Sequence, residues 1–257
     1  MNAAVRALMP LAAVVLVAAC TSSASQRAAA NPDVDPRDPL AGTRLMQQGQ
    51  ALVAEGRTEE GLERYRTALA IQPKNPTIHN LIGVAELQER NAAKAMESFN
   101  RALALAPQYA DALNNRGAAY VQLGQLAMAE ADFLAVLSDT SYANRASVYF
   151  NLGSLYLSRG NLSAAEEDLR RAAVPSGPIE ASFLLGQVEE RLVKPELAEA
   201  AYRSAMERAP ERPDIALALG MLLQSLGRKD EARDVFRRVV SLAPDSPEAK
   251  QARAHLE

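Results

Sequence analysis

Hydrophobic positions recur through most of this chain at the spacing of an amphipathic α-helix. The offsets i, i+3, i+4 and i+7 are occupied by Tyr149, Leu152, Gly153 and Tyr156. The same offsets are filled by apolar residues within 232–239. Residues so spaced share one face of a helix. By contrast, residues 21–42 contain three prolines and no apolar period, so we interpret residues 20–42 as a linker.

A glycine returns at a nearly constant interval along the periodic part. The six positions, spaced by 34, 34, 36, 33 and 34 residues, are Gly49, Gly83, Gly117, Gly153, Gly186 and Gly220. Twelve residues after each glycine stands a small residue: Gly61, Ala95, Ala129, Ala165, Ala198 and Ala232. Sixteen residues after it stands a large apolar one: Tyr65, Phe99, Phe133, Leu169, Tyr202 and Phe236. A proline closes four of the six units, at Pro73, Pro107, Pro210 and Pro244.

This period is typical of tetratricopeptide repeats, in which each repeat is a pair of antiparallel helices. Small residues allow the two helices to approach closely, and the aromatic fills the gap between one pair and the next. We therefore predict an all-α fold, a right-handed superhelix of six tetratricopeptide helix pairs over residues 43–245. Residues 246–257 are predicted to form a capping helix, with Ser246 as N-cap and Pro247 at its first position.

Composition agrees with this fold and excludes several functions. The chain has 257 residues, of which 50 are Ala and 33 are Leu, both strong helix formers. A formal charge of −3 gives no basic footprint for nucleic acid. The single cysteine, Cys20, excludes an intrachain disulfide and any metal site built from several cysteines. We expect no cofactor and a monomeric protein.

The N-terminal residues 1–19 are predicted to be a signal peptide. Arg6 precedes an apolar stretch, Ala7 to Ala19, that is shorter than the about 20 residues of a spanning helix. The segment Val17-Ala18-Ala19-Cys20 resembles the lipobox of bacterial lipoproteins, which implies that Cys20 is lipidated and becomes the new N-terminus. The alternative is an ordinary signal peptide in which Cys20 is one more small residue. By the same resemblance, Thr21 in place of Asp implies the periplasmic face of the outer membrane.

In tetratricopeptide proteins the first helix of each pair lines the concave face, and this resemblance defines candidate inward positions. They form an apolar groove with two amides: Met46, Val53, Asn80, Val84, Leu87, Asn114, Val121, Phe150, Leu157 and Phe183. An apolar stripe of this kind is typical of a protein-binding surface, and the two amides could bond to an extended peptide. The alternative is that these side chains only pack against neighbouring repeats. A basic clamp for a C-terminal carboxylate is not expected, because Arg191 is the one basic residue found at an inward position.

Enzyme chemistry has weak support in the sequence. The two histidines, His79 and His255, are not spaced with other ligands as a zinc site requires. The acidic run Glu166-Glu167-Asp168 falls early in a second helix, where it complements the helix dipole. We interpret it as a solvated face rather than a metal or acid–base site.

The longest interval, between the third and fourth glycines, carries a further resemblance. Within residues 138–157 the segments that matter are Asp139-Thr140, Tyr142, Arg145, Val148 and Asn151-Leu152-Gly153. They are similar to the corresponding stretch of the type IV pilus pilotins of the PilF, PilW and Tgl type. The resemblance implies a non-enzymatic outer-membrane lipoprotein that binds secretin subunits and promotes their insertion and multimerisation. Two alternatives remain, a scaffold for another envelope assembly or export system and a cell-wall enzyme.

Overall fold

The computed structural model describes residues 38–256, which form thirteen α-helices and no strand. The predicted signal peptide, Cys20 and most of the predicted linker lie outside the described residues. The helices are α1 (Ala41–Ala54), α2 (Thr58–Ile71), α3 (Pro76–Gln88), α4 (Ala92–Leu105), α5 (Ala110–Gln122), α6 (Leu126–Ser138), α7 (Arg145–Ser158), α8 (Leu162–Ala172), α9 (Ile179–Arg191), α10 (Pro195–Arg208), α11 (Pro213–Ser225), α12 (Lys229–Leu242) and α13 (Pro247–Ala254). This confirms the all-α prediction.

Consecutive helices pack in pairs, from α1 with α2 to α11 with α12, and α13 covers the end of the last pair. The first helix begins at Ala41, two residues before the expected start of the repeats. It begins there because Asp38 accepts from the backbone N–H of Leu40 and pairs with Arg44 in the first turn. The capping helix begins as predicted: Ser246 Oγ accepts from Ala249 N at 3.1 Å, and Pro247 occupies the first position.

Five of the six pairs are built around a ring that packs directly against the repeated glycine. A Cβ added at Gly83, Gly117 or Gly186 would stand 2.5 Å from the ring of Phe99, Phe133 or Tyr202 respectively, closer than non-bonded carbons approach. The fourth pair replaces the ring with a leucine and keeps the close approach. Any side chain at the glycine would therefore force the two helices apart.

The same rings also reach the next pair, as the sequence predicted. Phe133 lies in one buried cluster with Val148 and Leu152 of the fourth pair. Tyr202 shares another cluster with Leu219 of the sixth. A single side chain therefore fixes both the spacing within a pair and the stacking between pairs.

A second contact between pairs differs between the two halves of the array. Thirteen residues after the glycine, pairs three, four and five carry Glu130, Glu166 and Glu199. Each forms an ion pair with a cation from the interhelix turn of the following pair, respectively Arg159, Lys194 and Arg228. The first and second pairs carry Leu62 and Met96 at this position, so the earlier junctions are apolar there.

The ring-over-glycine contact predicts the effect of adding one methyl group. Gly117→Ala should lower the free energy of unfolding by about 1–3 kcal/mol, because the new Cβ overlaps the ring of Phe133. Urea unfolding followed by circular dichroism measures this loss. Gly124→Ala is the matched control: its φ is +72° and a Cβ there meets open space, so its cost of about 1–2 kcal/mol comes from the backbone alone.

A variant that lacks the ring of Phe133 distinguishes the steric cost of Gly117→Ala from the backbone cost of Gly124→Ala. With Phe133→Ala, the added cost of Gly117→Ala should fall close to zero, and that of Gly124→Ala should stay the same. Equal costs of Gly117→Ala in the two backgrounds would refute the steric explanation.

Candidate protein-binding groove

The first helices of the pairs form a continuous inner surface. Neighbouring first helices touch along the array, α1 with α3, α3 with α5, α5 with α7 and α7 with α9. Helices on the inside of a curved stack approach one another most closely. The inner surface is therefore made of first-helix side chains, which is where the sequence placed the groove.

The predicted groove residues share a common environment, packed on one side and open on the other. Eight are half-buried: Met46, Val53, Val84, Leu87, Asn114, Phe150, Leu157 and Phe183. Val121 is 39% exposed, whereas Asn80 is only 6% exposed. The apolar groove residues pack against the cores of their own repeats, as Leu87 packs against the cluster of Ala95 and Phe99. Each of these side chains therefore packs against the repeat core on one side and remains accessible to a ligand on the other.

The two predicted amides belong to a ladder that joins three repeats. Asn80 Oδ1 accepts from Asn115 Nδ2 at 3.0 Å, and Asn114 Oδ1 accepts from Asn151 Nδ2 at 2.9 Å. Each oxygen is thus bonded to the following repeat, and contact of either amide with a peptide stays a prediction. The sequence did not lead us to predict Asn115 and Asn151 as the donors. Both stand two residues before a repeated glycine, and this shared repeat position could have indicated a common role.

The inner face of the first four pairs is nearly free of charge. Its inward positions hold Thr, Met, Asn, Gln, Val, Leu, Ala, Ser and Phe, with Asp111 as the one charged residue. That carboxylate accepts from Tyr142 Oη at 2.6 Å. The other charged residues at inward positions lie in the last two pairs, at Glu180, Glu190, Arg191 and Asp214. The first four pairs therefore offer an apolar surface with neutral hydrogen-bonding groups.

The long junction before α7 is held by its own polar contacts. Arg145 donates to the carbonyl oxygens of Leu137 and Asp139 at 3.0 and 2.7 Å, which closes the C-terminus of α6 where the proline is missing. Ser141 N donates to Asp139 Oδ1 at 2.9 Å and fixes the turn. Tyr142 then reaches back to Asp111, and burial together with that carboxylate raises the pKa of Tyr142. These contacts hold the third and fourth repeats in register across the groove.

The histidines have structural explanations. His79 is 7% exposed, and its burial lowers its pKa, so it is neutral at pH 7. His255 stacks on Phe236 with ring centroids 5.0 Å apart and so closes the end of the array. Within residues 38–256, no group of three or more His, Cys, Asp and Glu side chains is placed to hold a metal ion.

The prediction that Glu166, Glu167 and Asp168 form a solvated face is wrong for two of the three. Glu167 is exposed, but Glu166 and Asp168 are 8% and 9% exposed. Glu166 faces inward because Lys194 of the next repeat donates to it, which lowers its pKa. Glu166 therefore joins two repeats, and only Glu167 of the three faces solvent.

Asp168 is buried without a close partner, unlike its counterpart in the preceding repeat. Asp132 stands at the same repeat position and accepts two hydrogen bonds from Arg116, both at 2.8 Å. In the fourth pair the place of Arg116 is taken by Leu152, and the nearest cation of Asp168 is Arg171 at 3.8 Å. Burial accordingly raises the pKa of Asp168 to about 6.

Comparison with known proteins agrees with this architecture. Family models described as tetratricopeptide repeat match residues 46–110, 98–131, 146–173 and 194–256. The chain belongs to the tetratricopeptide-repeat family. Together the matched segments span parts of all six helix pairs and the capping helix.

Several solved tetratricopeptide structures share the fold. The structure of PilF from Pseudomonas aeruginosa is 21% identical with a TM-score of 0.72, covering 90% of this chain and 99% of that one. PilW, a type IV pilus biogenesis factor, is 21% identical with a TM-score of 0.73, covering 82% of this chain and 97% of that one. YrrB, a tetratricopeptide protein with an unusual peptide-binding site, is 17% identical with a TM-score of 0.56, covering 74% and 97%. The superhelix of helix pairs is thus confirmed.

The described part of this tetratricopeptide protein has no membrane-crossing helix, since none of its helices is both long and apolar enough.

The two buried aspartates predict opposite effects of the same substitution. The pKa of Asp168 is raised in the folded protein, so between about pH 6 and pH 4 the native state holds more protons than the unfolded state. The contribution of this group to stability therefore rises as the pH falls through 6. Asp168→Asn should stabilise the protein at pH 8 by up to roughly 3 kcal/mol, and the difference from the native chain should vanish near pH 4.

Asp132→Asn is the matched control, because it removes two charge-assisted bonds and leaves Arg116 half-buried. It should destabilise the protein at pH 8 by about 2 kcal/mol or more. Urea unfolding of both variants from pH 4 to pH 8 measures the two effects. Loss of stability in Asp168→Asn at pH 8 would show that the carboxylate has a partner that the structure does not place beside it.

Proposed function

We propose that this tetratricopeptide protein is a non-enzymatic lipoprotein of the outer membrane that faces the periplasm. There it binds secretin subunits of the type IV pilus and promotes their insertion and multimerisation. The observation that carries this proposal is the nearly uncharged inner face of the first four helix pairs. A surface that is half apolar and half neutral amide or hydroxyl suits a polypeptide segment rather than a charged metabolite or a nucleic acid.

The groove is preorganised for such a segment. Its apolar side chains are held from behind by the repeat cores, and the asparagine ladder and the Tyr142–Asp111 bond hold adjacent repeats in register. A rigid site has less conformational entropy to lose on binding, which leaves more of the contact energy for affinity. The likeness of the fold to PilF and PilW supports a pilus role, and the peptide-binding site of YrrB supports a peptide as the ligand.

A lipid anchor would place this groove at the membrane where a secretin is assembled. Cys20 follows an apolar segment in a lipobox-like context, and residues 21–37 then separate it from the first described residue. Each buried CH₂ of an acyl chain contributes about 0.8 kcal/mol, so several chains together give a stable anchor.

The anchor predicts a specific labelling result. Cells grown with radioactive palmitate should label the native chain, whereas Cys20→Ser should remain unlabelled and keep its signal segment. Thr21→Asp tests the outer-membrane localisation independently of lipidation. Labelling should persist, while the protein moves from the outer to the inner membrane fraction. Labelling of Cys20→Ser would contradict the assignment of the lipid to this residue.

The groove predicts which substitutions impair secretin assembly. Cells that lack the protein should contain secretin monomers and no heat-stable multimers, measured by immunoblot. Val121→Glu should reduce the multimers about tenfold or more, because a carboxylate in the groove costs at least about 1.4 kcal/mol of binding free energy. Leu197→Glu is the matched control, since it adds the same charge at a similarly exposed leucine, 46% against 39%, on a second helix.

Normal secretin multimers in the deletion strain would refute the pilotin role. A scaffold for another envelope assembly or export system would then be favoured, provided that Val121→Glu still impairs binding to whichever partner is purified with the native chain. Equal effects of Val121→Glu and Leu197→Glu would refute the groove as the binding surface.

A further inference from the structure

The junction between the fourth and fifth helix pairs places two carboxyl groups together. At each of the last three junctions, a glutamate of one repeat faces the residue three positions after the glycine of the next. After the third pair that residue is Tyr156, whose hydroxyl donates to Glu130 at 2.7 Å. After the fifth pair it is Leu223. After the fourth pair it is Glu189, so Glu166 faces a second carboxyl group instead of a donor or an apolar side chain.

Glu189 is buried and incompletely hydrogen-bonded. It is 2% exposed, and its Oε1 accepts from Arg170 Nη2 at 3.3 Å. Its Oε2 has no hydrogen-bond partner among residues 38–256. The same Arg170 nitrogen donates to Glu166, and Lys194 Nζ donates to both oxygens of Glu166 at 2.9 and 2.7 Å. The two cations of the junction therefore bind mainly to Glu166.

The repeat pattern explains why Glu189 lacks a partner. Glu86 stands at the same position of the second repeat, and Ser98 donates to its Oε2 at 3.1 Å. Twelve residues after Glu189, the place of Ser98 is taken by Ala201. The fifth repeat therefore keeps the buried acid and lacks the hydroxyl group that bonds to it in the second.

The charged groups around Glu189 come from three elements. From α8 it faces Glu166 and Arg170, and from the turn before α10 it faces Lys194. Helix α10 presents Tyr202, whose hydroxyl donates to the adjacent glutamate of α9 instead. Helices α7 and α11 add no charged group to this set. Burial outweighs the two cations and raises the pKa of Glu189, whereas the bonds from Lys194 and Arg170 lower the pKa of Glu166.

We propose that the junction between the fourth and fifth pairs is a pH-sensitive joint, in which Glu189 takes up a proton on acidification and the two pairs then stack more tightly. A neutral carboxyl group at this position does not repel Glu166, and its O–H is a donor for that carboxylate. The joint lies where the inner face changes from uncharged to charged, so it sets the alignment of these two parts of the groove. The inference goes beyond the proposed function, since it holds whichever protein occupies the groove.

The direction of the effect follows from the two opposite pKa shifts. The pKa of Glu189 is higher in the folded than in the unfolded chain, so the native state binds more protons and the junction gains stability as the pH falls through that raised value. The pKa of Glu166 is lowered, so its ion pairs persist until the pH falls below the ordinary range of a glutamate. The joint is therefore tightest between these two values and loosest at higher pH.

Spin labels on the outer surface measure the stacking of the two pairs. A chain of residues 20–257 with Cys20→Ser contains every described helix, and Ser163→Cys with Glu196→Cys then places labels at one exposed repeat position of α8 and α10. Ala127→Cys with Ser163→Cys is the matched control across the preceding junction, at the same repeat position. Double electron–electron resonance gives the distribution of the label-to-label distance from pH 8 to pH 4.

The distribution across the fourth–fifth junction should narrow as the pH falls, and the distribution across the third–fourth junction should stay the same. Glu189→Gln should give the narrow distribution already at pH 8 and remove its dependence on pH. Glu189→Leu should remove the dependence as well, and leucine stands at this position in the first and sixth repeats. Ala201→Ser should shift the transition to lower pH, because the new hydroxyl donates to the carboxylate as Ser98 does in the second repeat.

Asp168→Asn separates this response from that of the other buried acid with a raised pKa in the fourth repeat, and it should leave the narrowing intact. Two results would overturn the proposal. The first is a distribution across the fourth–fifth junction that is unchanged between pH 8 and pH 4. The second is a narrowing that persists in Glu189→Gln and Glu189→Leu, which would assign the response to another group.

Discussion

The fold depends on one close contact, a large apolar side chain, usually an aromatic ring, packed directly against a glycine. In five of the six pairs the ring occupies the volume that a side chain at the glycine would need, and in the fourth pair Leu169 takes its place. The glycine and a large apolar residue must therefore recur in phase. The same ring enters the core of the next pair, and the interval between glycines therefore sets how the pairs stack. A repeat protein of this kind has no central core, and its shape is the sum of these local contacts.

Because this contact lies within one repeat, most of the fold could be predicted from the spacing of residues along the sequence. Glycines, small residues and rings in register specify the helix pairs, and Ser246 and Pro247 specify the start of the cap. The resemblance to tetratricopeptide proteins, applied in this register, also implies that Val121 and Phe150 lie on the inner face. The repeat register determines the face of a helix on which a residue lies, and that is enough for apolar side chains.

Polar side chains could not be predicted in this way, since their environment depends on a second residue that the period does not fix. Asp132 and Asp168 occupy one repeat position, yet only Asp132 is paired, because the preceding helix offers Arg116 in one repeat and Leu152 in the next. Likewise the partners of Asn80 and Tyr142 lie 35 and 31 residues away in sequence. Such pairs are visible only when the repeats are stacked.

The ion pairs of Glu130, Glu166 and Glu199 with the following repeat imply that the junctions between pairs do not all weaken under the same conditions. The junctions after the third, fourth and fifth pairs include an ion pair, whereas the first two have an apolar side chain at that point. Added salt weakens the former and strengthens the latter. Raising the ionic strength should therefore loosen the junctions after the third, fourth and fifth pairs more than the first two, so the C-terminal half of the array is the half whose stacking responds to salt.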